Sequence, residues 1–432
     1  MEIELRNINI VKEANLRLNG LTVIAGENDS GKSTIGRVLF STIKAVAEMN
    51  NYSLEKSVER IKRYSFSLRR HFAVLPETVK LSVGEFMPNS QTDMLEMLQI
   101  PEERKKFIEK MSSFIESIDV MPRQKSFIKM DLEHIKNVFD EMDNPQAVIC
   151  KELNSQIKYE FMDQFSSSLS GDSVVTVDMD GGYFSYKVKN NVVEKESLKV
   201  GLKNFFDDIT YVESPLYIHL LDSFRANTLF GTQLYQRSLM KTPLHVLDYI
   251  EKIRNSLQGE GLSQQLFISS MVTNRVIGGT FCYDKKTRSI VYRKGDMKVK
   301  PINVASGIKS FGTLQILLDG YCISNNSPLI WDEPENHLHP QWQVEFAKIL
   351  VQIVQSGIPV MISTHSPYFL QAIRYYSAMY GIEKYVDYYL AETCEDNMSV
   401  IRDVTDNMND VFVKLAEPLN NIMNVDEVRM KH

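Results

Sequence analysis

Between Gly26 and Ser33 the sequence reads GENDSGKS, two glycines bracketing four polar residues with a lysine and a hydroxyl behind them. That spacing fits a loop whose glycines turn consecutive backbone N–H groups inward while the following helix points its positive end at the same place, an arrangement that holds phosphate. Gly26, Asn28, Ser30 and Gly31 then form the loop, and Lys32 reaches the β and γ phosphates. Ser33 offers its hydroxyl to Mg2+, and Thr34 touches the α phosphate. The competing reading is a solvated turn. The apolar run LTVIAG before the loop, and Ile35, Val38, Leu39, Ile43 and Val46 at helical spacing after it, argue against that, because they supply the strand and helix the loop needs.

A second cluster lies near the other end, in PLIWDEPENHLHP. An apolar strand ends in Asp332, placed to serve a magnesium ion, and Glu333 follows at once. Adjacent carboxylates at a strand end point in different directions, so one is free to serve the metal while the other polarises an attacking water. The bland alternative is an acidic surface turn before Pro334. Farther on, MISTHSP places His365 just past an apolar strand, where an imidazole reaches a γ-phosphate. His337 and His339 are read as loop residues rather than metal ligands.

The elements that must position these groups follow from periodicity. EIELRNINI and ANLRLNG alternate as strands, and LTVIAG is a buried strand before a helix starting near Gly31. From about Asn50 to Ser170 the pattern is helical, without the sustained heptads of a coiled-coil arm. SVVTVDMDGGYFSYKVK reads as two strands about a turn at Asp180–Gly182, DITYVE as another strand, and 215–258 as a helical block. The last third reads as a hairpin (GGTFCYDKKTRSIVYRKG), a loop at NVASG, a helix over 308–323, and then PLIW, a helix, PVMIST and a helix, with DYYLAE and MSVIRDV closing the sheet. Alternating strand and helix implies a parallel sheet whose ligands gather at the strands' carboxyl ends.

At 432 residues the chain is long for one simple domain, which points to a core with an insertion. A charge of −6 gives no global attraction to nucleic acid. The N-terminus lacks the apolar core of a signal peptide, no stretch is apolar enough for a membrane span, and the expected location is cytoplasmic. Four dispersed cysteines form no CxxC pair, and are read as buried hydrophobes.

Taken in order, the Gly26–Ser33 loop, NVASGIKS at 303–310, DEPENHLHP and STHSP resemble the ABC-type ATPase heads of the OLD, RecF and SMC-like branch, the pattern DEPExHLHP being especially typical of the OLD-like group. The resemblance covers about residues 1–50 and 265–370. It implies an α/β P-loop NTPase of ABC-type head fold: a mixed sheet with a parallel core, an antiparallel N-terminal subdomain and a helical insertion. Residues 1–50 and 265–432 would form the head, 51–170 the helical insertion, and 171–264 a hairpin and helical part of either. The resemblance also implies ATP and Mg2+ as cofactors, Glu333, Lys32 and His365 as catalytic groups, and a homodimer or higher oligomer in which Ser306 and Gly307 contact the partner's γ-phosphate. One glycine followed by Ile308 and Lys309 departs from the transporter-type signature. Glu213 and Ser214 stand where such heads carry a glutamine.

Similar stand-alone heads occur beside nucleases in bacterial anti-phage systems of the Septu and PARIS kind, which implies an ATPase sensor controlling a separate effector nuclease. The short remainder after His365 is too small for the Toprim nuclease domain of OLD proteins. Two other readings stay open: a RecF-like repair ATPase that binds DNA itself, and a self-contained nuclease-ATPase. Lys56, Arg60, Lys62, Arg63, Arg69 and Arg70, interleaved with Tyr64 and Phe66, would suit nucleic acid, or form a solvated helix face.

Overall fold

The structure, a computed structural model, describes residues 1–50, 54–73, 98, 100–167, 171–179, 181–201, 205–221, 242–258, 267–287 and 289–415. The chain divides into two compact units, one of Met1–Lys44 with Leu153–His432, the other of Ala45–Glu152.

The larger unit is built on one mixed sheet. Its strands in chain order are β1 (Glu2–Ile8), β2 (Val11–Arg17), β3 (Leu21–Gly26), β4 (Ser173–Met179), β5 (Gly182–Lys189), β6 (Val192–Val193), β7 (Lys199–Gly201) and β8 (Thr210–Val212). A separate three-stranded sheet follows, β9 (Thr280–Asp284), β10 (Ser289–Lys294) and β11 (Met297–Val299), before the main sheet resumes with β12 (Leu329–Asp332), β13 (Val360–Thr364), β14 (Val386–Thr393) and β15 (Ser399–Asp403). Strand order across the main sheet is β6-β5-β4-β1-β2-β15-β14-β3-β13-β12-β8, with β7 beside β5.

The parallel core is β14-β3-β13-β12-β8. β3, buried along its whole length, lies between β13 and β14, as a continuous apolar run flanked on both faces should. The antiparallel part, β1 with β2 and β4, with β5 beyond, joins the core through the parallel pair β2–β15. Register decides what meets. Asp332 pairs with Ser363, Ala25 with Thr364, Gly26 with Ala391 and Val212 with Trp331. The loops after β3, β8, β12 and β13 therefore leave the same edge of the sheet.

Helix α1 (Lys32–Asn50) starts directly behind the loop. In the other unit α2 (Leu54–Ala73), α3 (Pro101–Ser117) and α4 (Pro122–Asp143) bury Ile61, Leu68, Met111, Ile128 and Ile135 in a core of their own. Next come α5 (Pro145–Phe161), α6 (Leu244–Gln258), the short α7 (Phe267–Met271), α8 (Ser306–Asp319), α9 (Pro340–Gln355) and α10 (Pro367–Met379). Trp331, Phe311, Phe346 and Phe369 pack edge-on or tilted between β12 and α8, α9 and α10.

Several expectations shift. The helix expected over 308–323 begins at Ser306 and ends at Asp319, where the chain turns at Gly320. The expected hairpin gains a third strand, β11. Only Cys150 is buried; Cys282, Cys322 and Cys394 are half-buried, on the small sheet or in turns after α8 and β14. Of the helical block expected over 215–258, a 3-10 turn at Pro215–Leu220 and α6 are described, and residues 222–241 lie outside the described residues, as does Asp180.

Candidate nucleotide site

The loop between β3 and α1 depends on its glycines. Gly31 has φ 82°, and a Cβ there would stand 2.7 Å from Val11 Cγ2; at Gly26 a Cβ would stand 2.8 Å from the Ala391 carbonyl oxygen. Asn28 and Asp29 are exposed at the tip, Asp29 with φ 60°, and the Ser30 hydroxyl donates to the Glu27 carbonyl at 2.7 Å. Lys32, 5% exposed, folds its ammonium into the loop and donates to the carbonyls of Gly26 at 3.0 Å and Glu27 at 2.5 Å. Burial pulls its pKa below the usual lysine value, against the nearby carboxylates of Glu333, Asp332, Glu335 and Glu27.

Asp332 ends β12 within reach of this loop. Its carboxylate accepts hydrogen bonds from the Ser363 hydroxyl and from Tyr211 at 3.3 Å, with the Ser33 hydroxyl beside it. Burial pushes its pKa up; the Ser33 and Ser363 hydroxyls oppose that, and the net direction is upward. Ser33 sits in the first turn of α1, so Ser33 and Asp332 form one oxygen cluster at a helix N-terminus. Magnesium takes one or two protein oxygens together with phosphate and water rather than an all-protein cage, and this pair fits it. Among the described residues, no group of three His, Cys, Asp or Glu is placed to hold a metal unaided.

Glu333 faces elsewhere. Its backbone is left-handed, φ 46°, rare for a residue with a side chain. The turn is held by its N–H donating to Ser363 Oγ at 3.0 Å and by Asn336 Nδ2 donating to Glu333 Oε2 at 2.8 Å. His365 Nδ1 lies 3.3 Å from Glu333 Oε1. The two carboxylates therefore have separate partners, Ser363 and Tyr211 for Asp332, Asn336 and His365 for Glu333.

Sequence patterns did not reveal three supporting groups. Ser363 ties Asp332 to Glu333. Glu335, 3% exposed, accepts from the Thr364 hydroxyl at 2.5 Å and the His365 amide at 3.0 Å, binding the turn after β12 to the end of β13. Burial pushes its carboxyl up, against those two bonds. Tyr211, buried in β8, supports Asp332 from the other side.

Thr34 sits in the first turn of α1. Ser306 opens α8, and Gly307 lies so close to Trp342 that a Cβ would stand 2.7 Å from its ring. No hydrogen bond or ion pair among the described residues joins either of them to the 26–34 loop. His337 has φ 64° in the turn, and His339 caps α9, its Nδ1 accepting from the Gln341 amide. Ser214 caps the 3-10 turn after β8 by accepting from Leu216 N–H at 3.3 Å, leaving Glu213 as the acidic side chain at that strand end. On α2, Arg60 pairs with Glu141 and Tyr64 stacks on His134 with ring centroids 4.9 Å apart, while Lys62, Arg63, Phe66, Arg69 and Arg70 are exposed. The Lys56 side chain lies outside the described residues.

No described helix is long and apolar enough to cross a membrane. No curated protein matches the chain significantly. Among solved structures it is similar to an SMC head domain from Thermotoga maritima (11% identity, 93% of this chain and 98% of that one, TM-score 0.38). It is also similar to an SMC head with an extended coiled coil bound to the C-terminal domain of ScpA derived from Pyrococcus furiosus (10%, 99% and 98%, TM-score 0.30). Likenesses this distant carry no argument. Residues 1–370, by contrast, match the family model described as an AAA ATPase domain, AAA_15, over most of the chain and across both halves of the site. The chain belongs to the AAA ATPase domain family.

Proposed function

We propose that the protein is a magnesium-dependent ATP hydrolase whose site is the 26–34 loop joined to the ends of β12 and β13. The observation that carries this is the nearness of the Ser33 hydroxyl to the Asp332 carboxylate, whose upward pKa shift from burial it opposes, so that the loop's hydroxyl and the strand-end carboxylate stand at one place. Lys32 and the loop amides bind the β and γ phosphates, and Gly26, Asn28, Ser30, Gly31 and Thr34 complete the cradle. Ser33 and Asp332 hold Mg2+, which supplies positive charge against the phosphoryl oxygens. Glu333 accepts a proton from the attacking water, and His365 orients Glu333 and faces the γ-phosphate. Most of the rate enhancement is electrostatic, from cations and amides fixed before the substrate arrives.

Replacing Glu333 by Gln keeps the shape and removes the base. Purified E333Q should bind ATP and lose most turnover, whereas K32A should lose tight binding. Normal phosphate release by E333Q refutes the assignment.

The finer reading is a head-to-head dimer closed by ATP, in which Ser306 and Gly307 complete the partner's site, controlling a separate effector nuclease in anti-phage defence. The resemblance of NVASGIKS to the signature loop of ABC-type heads supports it. Size measurement of E333Q with and without Mg–ATP tests dimer closure, and copurification with the neighbouring gene's product tests the effector. A second reading, nucleic-acid binding by this chain, is favoured by Phe66, 65% exposed on the same helix face as Lys62, Arg63, Arg69 and Arg70. Salt-sensitive DNA affinity lost in R69E/R70E would support it.

A further inference from the structure

Behind Asp332 lies a buried ionic chain drawn from four segments. Glu160, fully buried in the last turn of α5, accepts from Arg37 Nε of α1 at 2.8 Å, from the backbone N–H of His245 at 3.1 Å, and lies 2.6 Å from His245 Nδ1. The other ring nitrogen, Nε2, lies 3.2 Å from Glu213 Oε2, just past the end of β8. The Tyr217 hydroxyl donates to the same Glu213 oxygen at 2.6 Å. Since both ring nitrogens face carboxylates, both contacts are favourable only if both nitrogens carry protons. The imidazolium packs against Tyr211, ring centroids 4.6 Å apart, and Tyr211 in turn reaches Asp332.

A buried, doubly bonded His⁺ is costly unless its charge is matched. Arg37 with His245, against Glu160 with Glu213, balances it. Yet Glu213 differs from the rest: its side chain is 42% exposed, while those of His245 and Glu160 are 1% and 0% exposed. One end of the chain is sealed in the core and the other emerges where β8, β12 and β13 end. Its charge is felt at Asp332.

We propose that His245, held by Glu160 and Arg37, is a positioning residue that fixes the Glu213 carboxylate at the edge of the nucleotide site, where Glu213 accepts hydrogen bonds from water bound there. The inference rests on the ATP-hydrolase reading and adds to Lys32, Asp332 and Glu333 an acidic group with its own buried support. The ionisation of the pair agrees with the geometry: the His245 hydrogen bond holds Glu213 at about 2, and the two carboxylates raise His245 to about 9 against the opposing effect of burial.

The test is a double-mutant cycle on turnover with a spectroscopic control. E213Q leaves the buried Glu160–His245 contact intact and should fold normally. It should lower kcat roughly tenfold to a hundredfold, the range for losing a supporting group, with KM for ATP changed far less. H245N should show the same kcat loss, and H245N/E213Q should be no slower than the slower single variant, because both remove one effect. In nucleotide-free protein labelled with ¹⁵N-histidine, His245 should show two slowly exchanging ring N–H protons, and E213Q should shift or broaden only Nε2–H. If H245N folds poorly, the E213Q kinetics and the spectrum still decide. Wild-type kcat in E213Q, multiplicative losses in the double variant, or a singly protonated His245 would each overturn the proposal. A wild-type protein without Mg-dependent hydrolysis would remove the ATP-hydrolase reading as well, whereas an active wild type with an unaffected E213Q would remove this inference alone.

Discussion

Ser33, in the first turn of the helix behind the glycine loop, sets its hydroxyl beside the carboxylate of Asp332 at the far end of β12. Register makes this contact: β3 and β12 both pair with β13, so the loop after β3 and the end of β12 face each other across the Ser363–Thr364 edge. On the proposed reading, the site for phosphate and the site for a divalent cation are thereby one. Because the role proposed for Asp332 is to hold the cation and Asn keeps its shape, D332N should fold with unchanged stability. It should lose the magnesium dependence of ATP binding and at least a hundredfold in turnover. Calorimetric titration of ATP with Mg2+ and with EDTA checks this; equal magnesium enhancement in D332N and wild type would count against the pairing.

The glycine loop is a conformational requirement. G31A introduces a side chain at φ 82° and within 2.7 Å of Val11 Cγ2, a strain on the order of 1–3 kcal/mol. The variant should lose ATP affinity more than thermal stability, since the loop can distort while the sheet remains. Fluorescent-nucleotide titration alongside a melting curve separates the two.

Lys44 and Lys252 bridge Asp208 and Asp248 in a closed four-membered ion network, with Lys44 2.6 Å from Asp248 and Lys252 2.9 Å from Asp208. It joins α1, the approach to β8, and α6. The four side chains are 11–35% exposed, so removing one charge should cost less than a fully buried pair, roughly 2 kcal/mol. D248N should unfold at lower denaturant concentration with unchanged ATP affinity. An unchanged midpoint would show the network to be energetically idle.

Stability should fall with alkali. His245 has an ordinary value of 6.5 and is raised to about 9 in the fold, so its contribution is complete below pH 6.5 and is lost as pH rises through 9. Glu213 is held at about 2 against 4.5, so its contribution is complete above pH 4.5 and lost as pH falls through 2. Together they favour pH 4.5–6.5. Between pH 6.5 and 9 the loss should be on the order of 2–4 kcal/mol. H245N should flatten that slope in denaturant melts; a slope retained in H245N would assign it to other groups.

What could be read in the sequence was local. The loop GENDSGKS, the strand-end pair Asp332–Glu333 and His365 after MIST each sit within a few residues of the element that positions them, so spacing alone placed them. What escaped was non-local. Glu213 stands out in the sequence at the end of β8, but no short pattern links it to Glu160 of α5 and His245 of α6. Ser363 and Glu335 matter only because β13 pairs with β12 and the turn after β12 folds against it. Strand order was equally hidden: nothing in ANLRLNG or MSVIRDV says that β2 pairs with β15, since alternation fixes a strand's faces and not its neighbour.

The most direct measurement of the central claim is a structure of E333Q with Mg2+ and ATP. It should place the triphosphate in the 26–34 loop with Lys32 Nζ on the β and γ oxygens, and one cation between the Ser33 hydroxyl and Asp332. A triphosphate bound elsewhere, or a cation that Ser33 and Asp332 do not share, would contradict it.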